Sequence, residues 1–390
     1  MSEIRQMLSV WTNAEAAGED WALATVVRVE GSSYRKPGTR MMLTRSGLRS
    51  GMVSGGCLEG EISRKIWWLT ENGPAIQRYI SSFEEDASAA EQPAYGLGCG
   101  GTVSVLMERA ATARATLQAL QASVEVREPS AIVTVIASAH PLITVGARLI
   151  LAASPNGTAA GPVLENTLPP LADLHAIARE TLEQGRNITR SISIEDKAVE
   201  VFAEHIDPPF AFFICGAGDD ALPLADLAQT MGWHVTMADG RSNLVRRERF
   251  PRADALTVLD HSAPLLGLSL RNQPLDLGGA AAIANSGAVL VTHSYAQDRE
   301  LLRSLLPLNL RYLGVLGPRS RTLRLVEEIA DSIHLTVDDC MARLHAPVGL
   351  DLGADKPAGI ALAIVAEIHA DLHSRSAAPL REKAASSNQP

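Results

Sequence analysis

Two of the four cysteines in this chain are set among glycines. Cys57 stands in Ser54-Gly55-Gly56-Cys57-Leu58-Glu59, and Cys99 in Gly98-Cys99-Gly100-Gly101. Glycine lets the backbone approach a ligand closely and exposes N–H donors as an anion-binding nest. A thiol in such a loop, near a helix start and near Arg35 or Arg40, is expected to have a lowered pKa. The thiolate could carry sulfur, bind a soft metal or attack a sulfur donor. Small buried cysteines in tight turns are the bland alternative. The placing of both residues beside two glycines favours chemistry.

A second constellation lies farther along. Gly216-Ala217-Gly218-Asp219-Asp220-Ala221 follows an apolar strand and opens a helix, fitting the GxGxxA form of a dinucleotide turn. Asp239 ends the next strand, 21 residues beyond Gly218, where a carboxylate receives ribose hydroxyls. Gly216, Gly218 and Asp239 are therefore candidate nucleotide contacts. Asp219 and Asp220 occupy the helix N-terminus, where N–H groups would meet a pyrophosphate. Two carboxylates there also cap the helix themselves and compete with an anion, so both readings stay open. A further turn, Gly314 to Arg321, puts Arg319 and Arg321 near a helix start as a candidate anion site. His293 and Asp298 follow another strand at the same edge, His293 as a proton carrier or as a hydrogen-bonded structural residue.

The elements that must hold these residues read as follows. An amphipathic helix opens the chain, followed by a strand over Ala22 to Val29 and a short strand at Met41-Met42-Leu43. A helix over Glu61 to Thr70 and an acidic loop over Phe83 to Pro93 come next. The glycine cluster then feeds a strand over Thr102 to Met107. From 111 an alanine-rich helix leads into a weak internal repeat. Ala22 to Val27 is echoed by Ala131 to Ile136, and Pro37 to Met42 by Val145 to Ile150. The second copy has no cysteine and no Gly-Gly-Cys-Leu-Glu, so special chemistry belongs to the first. After Asp207-Pro208-Pro209, strands and helices alternate to a last helix over Lys356 to Leu372, which implies a mainly parallel sheet.

The expected fold class is α/β: an N-terminal mixed α/β segment with a weak internal repeat, then a C-terminal Rossmann-type parallel-sheet domain. The expected boundaries are 1–110 for the cysteine-loop domain, 111–207 for the degenerate second copy, 208–373 for the Rossmann-type domain and 374–390 for a disordered tail without apolar periodicity.

With 390 residues, 46% of them apolar, the chain can bury more than one core. A net charge of −9 and only 4% aromatic residues argue against nucleic acid, which needs a basic footprint or stacking surface. No cysteine pair has CxxC spacing. The N-terminus is polar, and no run reaches the ~20 apolar residues of a membrane helix. A reducing cytoplasm is the expected location.

These motifs in order resemble the XdhC/CoxI family. The resemblance rests on Gly31-Ser32-Ser33-Tyr34-Arg35-Lys36-Pro37-Gly38, Gly55-Gly56-Cys57-Leu58-Glu59 and Gly96-Leu97-Gly98-Cys99-Gly100-Gly101. Farther on it rests on Gly216-Ala217-Gly218, Arg247-Glu248-Arg249-Phe250-Pro251, Gly314-Val315-Leu316-Gly317 and the run from Leu344 to Ala354. It implies an accessory factor for xanthine- or carbon monoxide dehydrogenase-type enzymes, more a cofactor-binding chaperone than a turnover enzyme. Such a factor forms a dimer, holds molybdenum cofactor as cargo, is served by a cysteine desulfurase and delivers to the molybdenum hydroxylase large subunit. On that reading Cys57 and Cys99 contact the metal-dithiolene-sulfur end and Arg35 the pterin phosphate. Gly55 and Gly56 line the site, and Glu59 orients it or accepts a proton. The Rossmann half binds a nucleotide or serves as a partner surface.

This chain departs from the family pattern at Tyr34, where many members have proline, and at Ser54, where many have glycine. It also has Asp219-Asp220 where many have His-Val, which changes the charge at the phosphate site. Two alternatives are an NAD-dependent oxidoreductase using Gly216, Gly218, Asp239 and His293, and a ligand-free scaffold.

Overall fold

A computed structural model describes residues 3–31, 33, 35–80, 101–153, 163–168, 172–259, 269–270, 273–274 and 284–382. It divides into two compact units, Glu3–Pro208 and the chain from Pro209.

The N-terminal unit runs through one pattern twice. The first pass is α1 (Glu3–Ala17), β1 (Trp21–Glu30), β2 (Arg40–Thr44), β3 (Arg49–Gly51), α2 (Cys57–Leu69), β4 (Ala75–Ile80) and β5 (Thr102–Arg109). The second is α3 (Ala110–Val126), β6 (Ser130–Ser138), β7 (Arg148–Ala152), β8 (Val163–Asn166), α4 (Ala172–Gln184), β9 (Ile188–Ile194) and β10 (Lys197–Ile206). The two antiparallel sheets have the same strand order, β3-β2-β1-β5-β4 and β8-β7-β6-β10-β9. Register repeats as well. Thr25 faces Arg40 and Leu23 faces Glu108 in the first sheet; Thr134 faces Arg148 and Ile132 faces Glu204 in the second. Each long strand carries a bulge at the same place, Val27 in β1 and Ile136 in β6. The weak echo in the sequence is thus a full correspondence of folds.

Period-two alternation explains the layers. Ala22, Ala24 and Val26 turn to α2, which presents Leu58, Ile62 and Ile66. Leu23 turns the other way, joining Met7 and Trp11 of α1, Leu117 and Leu120 of α3, and Ile132 of the second sheet. One core therefore joins both passes. Each fully buried aliphatic side chain contributes about 1.5–3 kcal/mol.

The C-terminal unit comprises β11 (Ala211–Cys215), α5 (Ala221–Thr230), β12 (His234–Asp239), β13 (Ala255–Val258), a two-stranded pair β14 (Ser269–Leu270) and β15 (Gln273–Pro274), and β16 (Ser286–Leu290). It continues through α6 (Tyr295–Leu305), β17 (Tyr312–Val315), α7 (Arg319–Ile329), α8 (Val337–Ala342) and α9 (Pro357–Leu372). Its main sheet is wholly parallel in the order β13-β12-β11-β16-β17. β11 is apolar on both sides because both faces are covered. Phe212 and Ile214 pack toward α5 and α9, and Phe213 and Cys215 toward α6 and α7. The chain crosses from one side of β11 to the other between β13 and β16. The crevice between β11 and β16 is therefore the topological switch point, where ligands of open α/β sheets bind.

The run from Leu344 has a structural role. His345 exchanges backbone hydrogen bonds of 2.9 Å with Leu313 and Val315, extending the sheet beside β17. Its ring stacks on Tyr312 at 4.1 Å. Glu367 of α9 accepts from the Tyr312 hydroxyl and, at 2.9 Å, from the N–H of Gly349. Residues 374–382 run on from α9 to a short 3-10 turn at Leu380–Glu382.

Candidate functional site

In the N-terminal unit, α2 begins at Cys57, four residues earlier than its apolar spacing predicts. Ser54 and Glu59 account for the difference. The Ser54 Oγ accepts the N–H groups of Gly56 at 3.2 Å and Leu58 at 3.1 Å, satisfying donors a helix start leaves open. Glu59 reaches back beneath the loop. It accepts the N–H of Val53 at 3.0 Å, the N–H of Ser54 at 2.7 Å and the Ser54 hydroxyl at 2.6 Å. It is only 5% exposed. Burial pulls its carboxyl upward, but the hydrogen bonds from Ser54 and the surrounding backbone prevail and hold it below the usual range.

Gly56 has φ +118°, a conformation that favours glycine, and caps α2 without a side-chain bond. A Cβ on Gly55 would meet nothing within 4 Å. Both glycines are exposed at the head of α2. Cys99 and the cluster from Gly96 to Gly100 lie outside the described residues, as does the loop from Phe83 to Pro93.

Arg35 is brought toward this loop through Glu3. The Glu3 carboxylate lies 3.7 Å from the Arg35 guanidinium and accepts the N–H of Met52 at 3.2 Å. Arg40, the other cation expected near a cysteine, turns inward. It is 8% exposed and donates to the Gly38 carbonyl and to Glu204, each at 2.8 Å.

In the C-terminal unit, Gly216 has φ +124°, and a Cβ there would run into the backbone of Val291 and come within 2.8 Å of the Thr292 nitrogen. Only glycine lets the turn after β11 lie against the segment after β16. A Cβ on Gly218 would meet nothing within 4 Å.

Asp239 is fully buried at the end of β12, and both its oxygens are engaged. It accepts the N–H of Ala217 at 2.7 Å, and the N–H of Arg241 at 2.8 Å. The Arg241 guanidinium adds bonds of 3.0 and 2.7 Å. Burial works to raise its pKa, but Arg241 and the two backbone donors outweigh that and lower it. The carboxylate expected to meet a ribose thus ties the glycine turn to β12. A ribose hydroxyl could share it only if Arg241, 49% exposed, swung away.

The two carboxylates after the turn each have a side-chain partner. Asp219 pairs with Arg249 at 2.8 Å, and Asp220 with His293 at 3.1 Å. The second pair crosses the switch point, with His293 in the left-handed region at φ +59°. Beside it lies a cavity of 290 Å³ lined by Thr292, His293, Asp298, Gly317 and Arg321, among others. Asp298 accepts the Thr292 hydroxyl at 2.5 Å and pairs with Arg321 at 2.7 Å. Arg321 also lies 5.7 Å from the Tyr295 ring centre, and Arg319 is exposed as the first residue of α7. The expected anion site thus has one arginine held by a buried aspartate and one open to solvent.

Sequence reasoning missed Glu3, Ser54 and Arg241, and gave Arg249 no role of its own. The five-residue spacing from Ser54 to Glu59 is not that of a capping box, so it gave no signal, whereas an arginine two places beyond Asp239 is a local ion-pair signal. Among the described residues, no group of three or more His, Cys, Asp and Glu side chains could hold a metal ion. Nor is any helix among them long and apolar enough to cross a membrane.

Comparison with known proteins bears on the family and the fold. The family model described as the XdhC Rossmann domain matches residues 212–368, and that of the XdhC and CoxI family matches residues 14–80. The chain belongs to the XdhC/CoxI family. It is 29% identical over 352 residues to a Bacillus subtilis protein described as a probable subunit of xanthine dehydrogenase, covering 90% of this chain and 92% of that protein. An uncharacterized protein of Escherichia coli, YqeB, is 30% identical over 155 residues, 40% of this chain and 26% of that protein. A crystal structure described as a xanthine dehydrogenase from Bacillus halodurans superposes with a TM-score of 0.70 at 26% identity, covering 100% of this chain and 98% of that one.

Proposed function

We propose that this chain is a maturation factor that holds molybdenum cofactor as cargo, supports its sulfuration and assists its insertion into a xanthine- or CO-dehydrogenase-type hydroxylase. Family membership supports a role in molybdenum-cofactor maturation, and the similarity to the Bacillus subtilis protein runs nearly end to end. The observation that carries the reading is the head of α2. A buried carboxylate, Glu59, braces an exposed Gly55-Gly56 turn directly before Cys57. A cysteine at the first residue of a helix, behind a glycine turn, is well suited to present a thiolate to an anionic, sulfur-bearing cofactor. Cys57 and Cys99 would contact the sulfur and metal end, Arg35 the pterin phosphate, and Glu59 would keep the loop in place. The partners this reading calls for, in the cytoplasm, are a cysteine desulfurase, a second copy of this chain and the hydroxylase large subunit.

The Rossmann unit would take a nucleotide over the Gly216–Gly218 turn, with Arg249 offsetting the charge of Asp219 and His293 hydrogen-bonded to Asp220. The oxidoreductase alternative asks Asp239 for a ribose contact, yet Arg241 and the Ala217 N–H already engage both its oxygens.

The test is the mass of small molecules released from protein purified without oxygen, beside the activity of the target hydroxylase. Release of pterin, and loss of hydroxylase activity with Cys57→Ala, are expected. A chain that releases no pterin, with a Cys57→Ala variant that still matures its target, would refute the reading.

A further inference from the structure

The two sheets of the N-terminal unit enclose a cleft of 290 Å³ where they meet, and of its walls only Arg35 is given a cofactor contact above. That volume is near the lower end of small-molecule sites, roughly 300–1,000 Å³. Its walls are held rigidly by the second pass of the fold. Glu204 of β10 clamps Arg40, and a Cβ on Gly38 would come within 2.7 Å of the Glu204 carboxylate. The Asn187 side chain donates to the Pro37 carbonyl at 3.1 Å and accepts the N–H of His205 at 2.9 Å. At the corresponding place in the other half, beside Gly146, Pro74 packs instead, so a Cβ there would lie 2.7 Å from the proline ring. The second copy lost the cysteine motif but kept the seat for the loop that carries Arg35.

Arg40 Nε and His205 Nδ1 are buried and have no hydrogen-bond partner. Their side chains are 8% and 7% exposed. Buried polar atoms without partners are costly, and bound groups commonly complete them. Arg35 is held by Glu3 at 3.7 Å, a half-exposed contact that a stronger anion can displace. On the β10 side, Asp207 is 73% exposed and lies 2.9 Å from His205 Nε2. Met7, Leu120 and Ile206 add buried apolar surface to the lining.

We propose that this cleft seats a flat, amino-bearing heterocycle that carries a phosphate. The phosphate takes the place of the Glu3 carboxylate on Arg35. The amino edge of the ring donates to Asp207, and the ring lies on the apolar surface. The proposal rests on the cargo reading, because a pterin phosphate is a molecule of this kind; a purine mononucleotide is another.

The full chain would be titrated with neopterin monophosphate, followed by pterin fluorescence, and with neopterin, GMP and inorganic phosphate as comparisons. Binding of neopterin monophosphate is expected to weaken about 10-fold or more in Arg35→Ala and in Asp207→Asn, the loss of one charged hydrogen bond. Glu3→Gln should tighten it. Arg35→Ala should leave the affinity for phosphate-free neopterin unchanged. Tighter binding of GMP than of neopterin monophosphate, lost in the same two variants, keeps the cleft and assigns it to purine mononucleotides. Equal binding by the wild type and both variants overturns the cleft. So does absence of probe binding by a chain that still releases pterin when purified without oxygen; in both cases the cargo reading survives. No probe binding and no released pterin would overturn both.

Discussion

Arg148 of β7 donates to Glu108 of β5 across the junction of the two N-terminal sheets, and both side chains are 2% exposed. The mirrored pair, Arg40 and Glu204, crosses the same junction in the opposite sense. Each arginine also donates to a carbonyl of its own glycine turn, at Gly38 or Gly146. These reciprocal bonds make the two passes of the fold one unit. Removing one partner leaves the other charged and buried, which costs about 3–5 kcal/mol. Glu108→Ala is therefore expected to lower the stability of the N-terminal unit by that amount. Replacing the pair together, as Arg148→Met with Glu108→Leu, should cost markedly less. Urea unfolding of the three proteins checks this, and equal losses for the single and double variants would contradict it.

Much of this fold was legible in the sequence. The repeat showed in the matched strands at Ala22 and Ala131, and the Rossmann unit in its glycine turn and alternating elements. Strand ends were less legible. After β16 the chain leaves the sheet, His293 takes the left-handed region and the Thr292 hydroxyl donates to Asp298. The head of α2 depends on Ser54 and Glu59 bonding to backbone, which apolar spacing does not register. Least legible were the pairings. Asp239 and Arg241 are close in sequence, but only the buried end of β12 shows that the pair closes on the glycine turn. His293 and Asp220 are distant in sequence and meet because β11 and β16 are neighbours.

The glycines of the turn should respond unequally to alanine. Gly216→Ala would need a left-handed φ and would drive a Cβ into the Val291 backbone. A loss of at least ~2 kcal/mol is expected. Gly218→Ala adds a methyl group to open space and should cost under ~1 kcal/mol. Thermal unfolding of the C-terminal unit's signal in both variants checks this. Comparable losses would mean that the close approach of the two segments is not what selects glycine at 216.

Acid should weaken the C-terminal unit through Asp239. Its pKa is lower folded than unfolded, so its contribution is complete above the ordinary carboxylate value of about 3.9 and is lost as pH falls through the folded value. Asp239→Asn removes the charge that Arg241 and two N–H groups share, and is expected to cost ~1–3 kcal/mol at neutral pH. The gap between wild type and variant should narrow as pH drops from 5 toward 3. Melting temperatures over that range provide the check, and a constant gap would exclude Asp239 as the source.

Glu59 allows its two roles to be separated. As a brace, it needs only an acceptor for the Val53 and Ser54 N–H groups, and the glutamine carbonyl supplies one there, at the loss of the bond from the Ser54 hydroxyl. As a proton acceptor, it needs a carboxylate. Three hydrogen bonds and a lowered pKa make it a weak base, so the brace is the expected role. Glu59→Gln should then keep most of the hydroxylase maturation. Glu59→Ala should lose it, together with ~1–3 kcal/mol of stability and faster proteolysis between Met52 and Cys57. A Glu59→Gln protein that is folded, resists protease like the wild type and yet fails to mature its target would instead establish the carboxylate as a proton acceptor.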